Sequence, residues 1–130
     1  MKIYIAGKIT GFTRADYQAK FLTAQKNLEY AGHKVMNPAY VNSTDGFEHE
    51  DYMHICYAMI DICDGIYMLK DWQRSKGARM ELQYAADHQK EILYEDESTR
   101  EENFPIMYMH PKLIDISKVN NTDGLRASMQ

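Results

Sequence analysis

In the stretch "WQRSKGARMELQYA" (72–85), the residues with chemistry to offer are Ser75, Gly77 and Glu81, set among the cations Arg74, Lys76 and Arg79. Ser75 suits a helix N-cap, its hydroxyl accepting from a backbone N–H two or three residues on. The free N–H groups of a first helical turn, together with the helix dipole, attract a phosphate or a carboxylate. Gly77 lets the backbone come close to a ligand. Glu81 follows Ser75 by six residues, so it falls about one turn into the helix and can point into a pocket. Two readings stand side by side: a capped helix start with a stray acid, or an anion site with a carboxylate next to it.

Other candidates are weaker. "GKITGF" (7–12) is a glycine loop, but it has neither the GxGxxG nor the GxxxxGK[ST] spacing of a dinucleotide or ATP cradle. Tyr4 lies in the first apolar run and reads first as a core tyrosine, one of ten in the chain. Trp72, the single tryptophan, lies in a loop; it either stacks on a base or covers the edge of the core. His49 and His54 are five apart, which is not HExxH, so no zinc site is expected. Cys56 and Cys63 are seven apart, a spacing of neither CxxC redox pairs nor zinc sites, and read as two buried, reduced thiols of a cytoplasmic protein.

The elements that must position these residues follow from periodicity. "KIYIA" (2–6) is a short strand buried on both faces, ended by Gly7. A helix over about 13–30 carries Tyr17, Phe21, Ala24 and Leu28 at i, i+4, i+7 and i+11, with Thr13 as its cap and Gly32 just beyond its end. A strand at 33–36 stops at Pro38. A long polar loop over 37–50 precedes a helix over about 49–63, a strand at 65–69, a helix over about 76–89 and a strand at 91–94. This alternation predicts an α/β fold, a three-layer sandwich with a parallel sheet of four or five strands and ligands beyond the strands' carboxyl ends. Three loops then face the site: "GKITGF", "NPAYVNSTDG" and "KDWQRSKGARME". "EDESTREEN" reads as a charged loop or irregular helix, "PIMYMHPKLIDISK" as one more strand or helix, and 119–130 as a mobile tail after a single domain of 1–118.

The totals agree with a single domain: 130 residues, 45% hydrophobic and 26% charged, with a formal net charge of -4. An acidic balance argues against non-specific binding to nucleic acid or an anionic membrane, but leaves room for a local basic pocket. The start lacks the apolar core of a signal peptide, and no run approaches the length of a membrane-spanning helix.

Taken together, "IYIAGKITG", "NPA", "CDGIYML" and "W..S.GA..E...A" resemble the nucleoside 2-deoxyribosyltransferase-like superfamily, with the nearest likeness to a branch of small proteins common in phage and prophage genomes. The resemblance covers about residues 2–95. It implies a flavodoxin-like, Rossmann-like sandwich that works as a homodimer or larger oligomer. It also implies cleavage or exchange of the N-glycosidic bond of a nucleoside or nucleoside 5′-monophosphate. Glu81 aligns with the glutamate that attacks the anomeric carbon in retaining glycosyl transfer. Ser75 aligns with a serine that binds the 5′-phosphate in the nucleotide N-glycosidases, where the transferases acting on free nucleosides carry an aspartate. Tyr4 aligns with a pocket tyrosine. Gly7, Lys8, Ile9 and Gly11 align with the sugar-phosphate loop, and Asn37, Trp72 and Gly77 fall within the matching motifs. One departure stands out: Cys56 occupies the position of an aspartate that handles sugar or base and moves protons. Either His54 or Asp61 stands in for it, or the protein binds nucleotides without hydrolysing them; a dimeric accessory protein with a vestigial pocket is the remaining alternative.

Overall fold

A computed structural model describes residues 1–41 and 44–105. Four strands, β1 (Lys2–Ala6), β2 (Lys34–Met36), β3 (Gly65–Met68) and β4 (Glu91–Tyr94), form one sheet in the order β2-β1-β3-β4. Every pairing is parallel; β1 lies between β2 and β3, with Tyr4 opposite Met36 on one side and Ile66 on the other. Three helices connect them: α1 (Arg14–Tyr30), α2 (His49–Asp61) and α3 (Lys76–Asp87). This is the α/β sandwich that the alternating pattern predicts. The expected element in 106–118 and the tail 119–130 lie outside the described residues. Among the described residues no helix is long and apolar enough to cross a membrane.

Because successive strand residues point to opposite faces, β1 feeds two separate cores. Ile3 and Ile5 meet Phe21, Ala24 and Leu28 of α1 on one face. Tyr4 and Ala6 meet Ile60 of α2 and Ala78, Leu82 and Ala85 of α3 on the other. The i, i+3/i+4 stripe of α1 explains which of its side chains are inside, and Thr13 caps it by accepting from the Asp16 N–H at 3.1 Å. Gly32 takes φ +96 just past its end, the left-handed turn at which glycine carries no steric cost.

The ends of the elements shift by one or two residues from the periodic pattern. α2 stops at Asp61 and α3 at Asp87, because Ile62 and His88 leave helical geometry as C-caps. Cys63 is therefore outside α2 and buried, while Cys56 is only half-buried; both are free thiols. The long polar connection after β2 opens with a 3₁₀ turn at Pro38–Tyr40, and the charged segment after β4 holds another at Glu97–Thr99.

Candidate functional site

At the carboxyl ends of β1 and β3 lies a cavity of about 590 Å³. Its walls come from the loop after β1, one side of α1, the 3₁₀ turn after β2, one side of α2 and the first two turns of α3. Seven of the residues singled out from the sequence line it: Tyr4, Gly7, Lys8, Ile9, Ser75, Gly77 and Glu81.

Glu81 is the deepest charge. It lies on the same face of α3 as Ala78, Leu82 and Ala85, so the helix turns a carboxylate into its own apolar stripe, and only 6% of it is exposed. Two side chains answer it. The Tyr4 hydroxyl, presented by β1, donates to Glu81 Oε2, and the Cys56 thiol of α2 is hydrogen-bonded to the same carboxylate. Burial raises the Glu81 pKa to about 7, with the Tyr4 and Cys56 hydrogen bonds opposing the rise. Burial first, and then the Glu81 charge, push the Cys56 thiol up to about 12. The same two effects, in the same order, hold Tyr4 well above the usual tyrosine value. Tyr4 and Cys56 are therefore neutral donors at working pH, and the ionisable member of the trio is the carboxylate.

The rim of the cavity has the opposite character. Lys8, His49, Arg74 and Lys76 line it, and among the described lining residues Glu81 is the one carboxylate. Ser75 caps α3, its Oγ accepting the Ala78 N–H at 3.1 Å. This fulfils the capping reading without excluding the other, since a hydroxyl that accepts from the backbone still has a proton to donate to an anion. The N–H groups of Lys76 and Gly77 open the helix, where no intrahelical acceptor exists, and both residues line the cavity. A helix N-terminus, cations and a hydroxyl thus converge on one side of a space with a carboxylate inside it.

Glycine has different reasons at two positions. A Cβ on Gly7 would lie 2.6 Å from Leu69 Cδ1, so the loop after β1 can pass the end of β3 only as glycine. A Cβ on Gly77 would meet His49 and Met53 at an ordinary 3.7 Å; there glycine keeps space open in the cavity rather than relieving a clash.

Three expected site residues lie elsewhere. Trp72 is fully buried and does not line the cavity. Its Nε1 donates to Thr99 Oγ1 at 2.9 Å, and its ring stacks on Phe104, so covering the core is the role the structure assigns it and base stacking is not. The reason is the 3₁₀ turn at Trp72–Arg74, which rotates residue 72 toward β4 and residues 74–77 toward the cavity. Asn37 is occupied by its neighbours: its amide donates to Gln25 at 3.0 Å and its carbonyl oxygen accepts from the Ala39 N–H at 2.9 Å. Gly11, at φ +93, turns the chain toward α1 outside the lining.

The candidates to stand in at position 56 also separate. His54 is exposed and absent from the lining, and Asp61 is exposed and accepts from the Tyr84 hydroxyl at 2.7 Å. Residues that sequence reasoning passed over include Tyr17 and Phe21 of α1 and Tyr52 and Met53 of α2, which give the cavity its apolar walls. Their helical spacing marks them only as inward-facing; whether an inward face meets a core or a cavity is not written in the period. Among the described residues no group of three or more His, Cys, Asp or Glu gathers to hold a metal.

Residues 1–94 match the model of a family described as Domain of unknown function (DUF4406). Among solved structures, a 2-deoxyribosyltransferase from Leishmania mexicana superposes with a TM-score of 0.58 at 22% identity, covering 86% of this chain and 75% of that one. A 2-deoxyribosyltransferase from Bacillus psychrosaccharolyticus gives 0.56 at 17% identity, covering 72% and 71%. A conserved protein from Enterococcus faecalis V583 gives 0.54 at 15%, covering 99% and 86%. Comparison with curated proteins returns no match. The 2-deoxyribosyltransferase-like, Rossmann-like fold expected from the sequence motifs is the fold observed.

Proposed function

The chain belongs to the DUF4406 family, and from that starting point we propose that it is a cytoplasmic N-glycosidase or deoxyribosyltransferase-like enzyme acting on a (deoxy)nucleoside 5′-monophosphate, with Glu81 as nucleophile. The observation that carries this reading is the buried Glu81 carboxylate, held by Tyr4 and Cys56, in a cavity whose rim is Lys8, Arg74, Lys76 and the start of α3. The fold neighbours named as 2-deoxyribosyltransferases support it.

In this reading the phosphate takes the N–H groups of Lys76 and Gly77, the Ser75 hydroxyl and the rim cations. The base rests among Tyr17, Phe21 and Tyr52. The ionised Glu81 attacks the anomeric carbon as its bond to the base nitrogen breaks, through an oxocarbenium-like state. The base leaves with the bond's electron pair and takes a proton from water. Water, or a second base, then displaces the sugar from the Glu81 ester, its proton passing to solvent, and the carboxylate is restored. Tyr4 holds Oε2, which leaves Oε1 for the attack and keeps a buried anion from lacking a partner. No cofactor enters these steps.

The experiment is incubation with a panel of ribo- and deoxyribonucleoside 5′-monophosphates and chromatography for free base. Release by the wild type and none by Glu81→Gln supports the reading; equal release by both removes Glu81 from the role of nucleophile. A second reading is favoured by Cys56, a neutral thiol beside the lone lining carboxylate among the described residues: a nucleotide-binding module that sequesters or senses its ligand. Calorimetry with the same panel separates the two, since binding without turnover belongs to the module alone. A homodimer is part of the proposal, and sedimentation tests it; the half-exposed Ile55 and Ile62 give α2 an apolar outer edge for such a contact.

A further inference from the structure

The geometry points to Asp71 and Lys20 as positioning residues, a clamp that fixes the loop after β1 against the opposite rim of the cavity; its functional consequence rests on the reading above. Asp71 is only 7% exposed. Its Oδ1 accepts the Lys8 N–H at 3.0 Å, and its Oδ2 accepts from Lys20 Nζ at 2.5 Å. Lys20 Nζ also donates to the Lys8 carbonyl at 2.6 Å. One ion pair thus holds the peptide groups on both sides of Lys8, whose side chain lines the cavity.

The two partners come from different walls. Asp71 belongs to the connection that leads from β3 into Arg74–Gly77, and Lys20 belongs to α1, which also contributes Tyr17 and Phe21 to the lining. The Lys20 ammonium lies 4.2 Å from the Phe12 ring centroid and 5.7 Å from that of Phe21, so it also rests against two aromatic rings. An ion pair with one partner buried is a poor source of stability, because desolvation offsets much of the attraction. Here it has a geometric product instead: the loop and the α3 start, which would hold one ligand between them, are tied through a single carboxylate. Gly7 alone cannot do this, since it permits the close approach to Leu69 but holds nothing in place.

The test uses Asp71→Asn and Lys20→Met, with Lys20→Arg as the conservative variant that keeps the charge. Amide hydrogen exchange is followed by peptide across the chain, together with KM and kcat for the nucleoside monophosphate the wild type cleaves, or Kd by calorimetry if it binds without turnover. Exchange over 8–11 should rise roughly tenfold in Asp71→Asn and Lys20→Met while amides of β1 and α3 keep their protection. KM or Kd should rise about tenfold with kcat within about threefold, and Lys20→Arg should restore most of both. If Lys20→Met does not fold, Asp71→Asn, which keeps the side chain's shape, still decides. Unchanged exchange over 8–11, or a uniform rise across the whole chain, overturns the clamp. A wild type that neither binds nor cleaves any nucleoside monophosphate overturns the proposed function instead, and the exchange result then judges the clamp alone.

Discussion

The two faces of the sheet are built from the same strands and do opposite things. On the α1 face, Ile3 and Ile5 pack on Phe21, Ala24, Leu28 and Leu69, and the contacts are apolar throughout. On the α2/α3 face, Tyr4 sits between those same isoleucines in the chain, yet it points at a buried carboxylate. One face gains stability by removing apolar surface from water. The other gives some of it up, because a carboxylate taken out of water costs free energy that two hydrogen bonds only partly return. Strongly perturbed acids of this kind cluster at functional sites. Along β1, then, the two-residue period separates side chains that only pack from the one that meets the buried acid.

Four substitutions test that separation. Glu81→Gln should abolish base release by at least about 10³-fold, since an amide cannot form the glycosyl ester. The same variant should alter the pH dependence of stability. The folded-state pKa of Glu81 is raised from 4.5 to about 7, so its contribution is fully present below the lower value and is lost as pH rises through the higher. Thermal melts between those limits should show wild-type stability falling relative to Glu81→Gln, while wild-type activity climbs over the same range as the carboxylate ionises. Equal melting profiles for the two proteins would mean that Glu81 is not a buried acid.

Ile5→Ala, on the other face, should cost about 2–5 kcal/mol in denaturant unfolding while leaving kcat within about twofold at temperatures where the protein stays folded. A large kcat loss there would show that the faces are not independent. Tyr4→Phe removes a donor from the carboxylate with little change in volume. A hydrogen bond to a charged group contributes roughly 1.5–3 kcal/mol, so the acid limb of the pH–rate profile should move up by about one to two units. Ser75→Ala should cost about 1 kcal/mol of stability as a lost cap. It should also raise KM for a nucleoside 5′-monophosphate more than for the free nucleoside; equal changes would reduce Ser75 to a cap.

Much of the fold was legible because its signals are local. Thr13 and Ser75 cap the helices they precede, since a cap depends on an N–H three residues away. Gly7 marks a true close approach. Trp72 was ambiguous for the converse reason. Its side chain can face either the cavity or the core from the same loop, and the choice is made by a 3₁₀ turn together with partners, Thr99 and Phe104, more than 25 residues on.

The elements and their order follow from the amino-acid sequence alone, because helix and strand periods, caps and glycine turns act over a few residues. The sequence also implies that the loops after β1 and β3 share one end of a parallel sheet. Which side chains meet there depends on long-range packing. The Tyr4 hydroxyl and the Glu81 carboxylate are 77 residues apart in the chain, and Lys8 and Asp71 are 63 apart. Those pairs exist because β1 is laid between β2 and β3, a placement fixed by burial on both faces of the strand rather than by any local preference. The same packing sets Cys56 beside Glu81 and leaves His54 and Asp61 outside, which spacing along one helix could not settle.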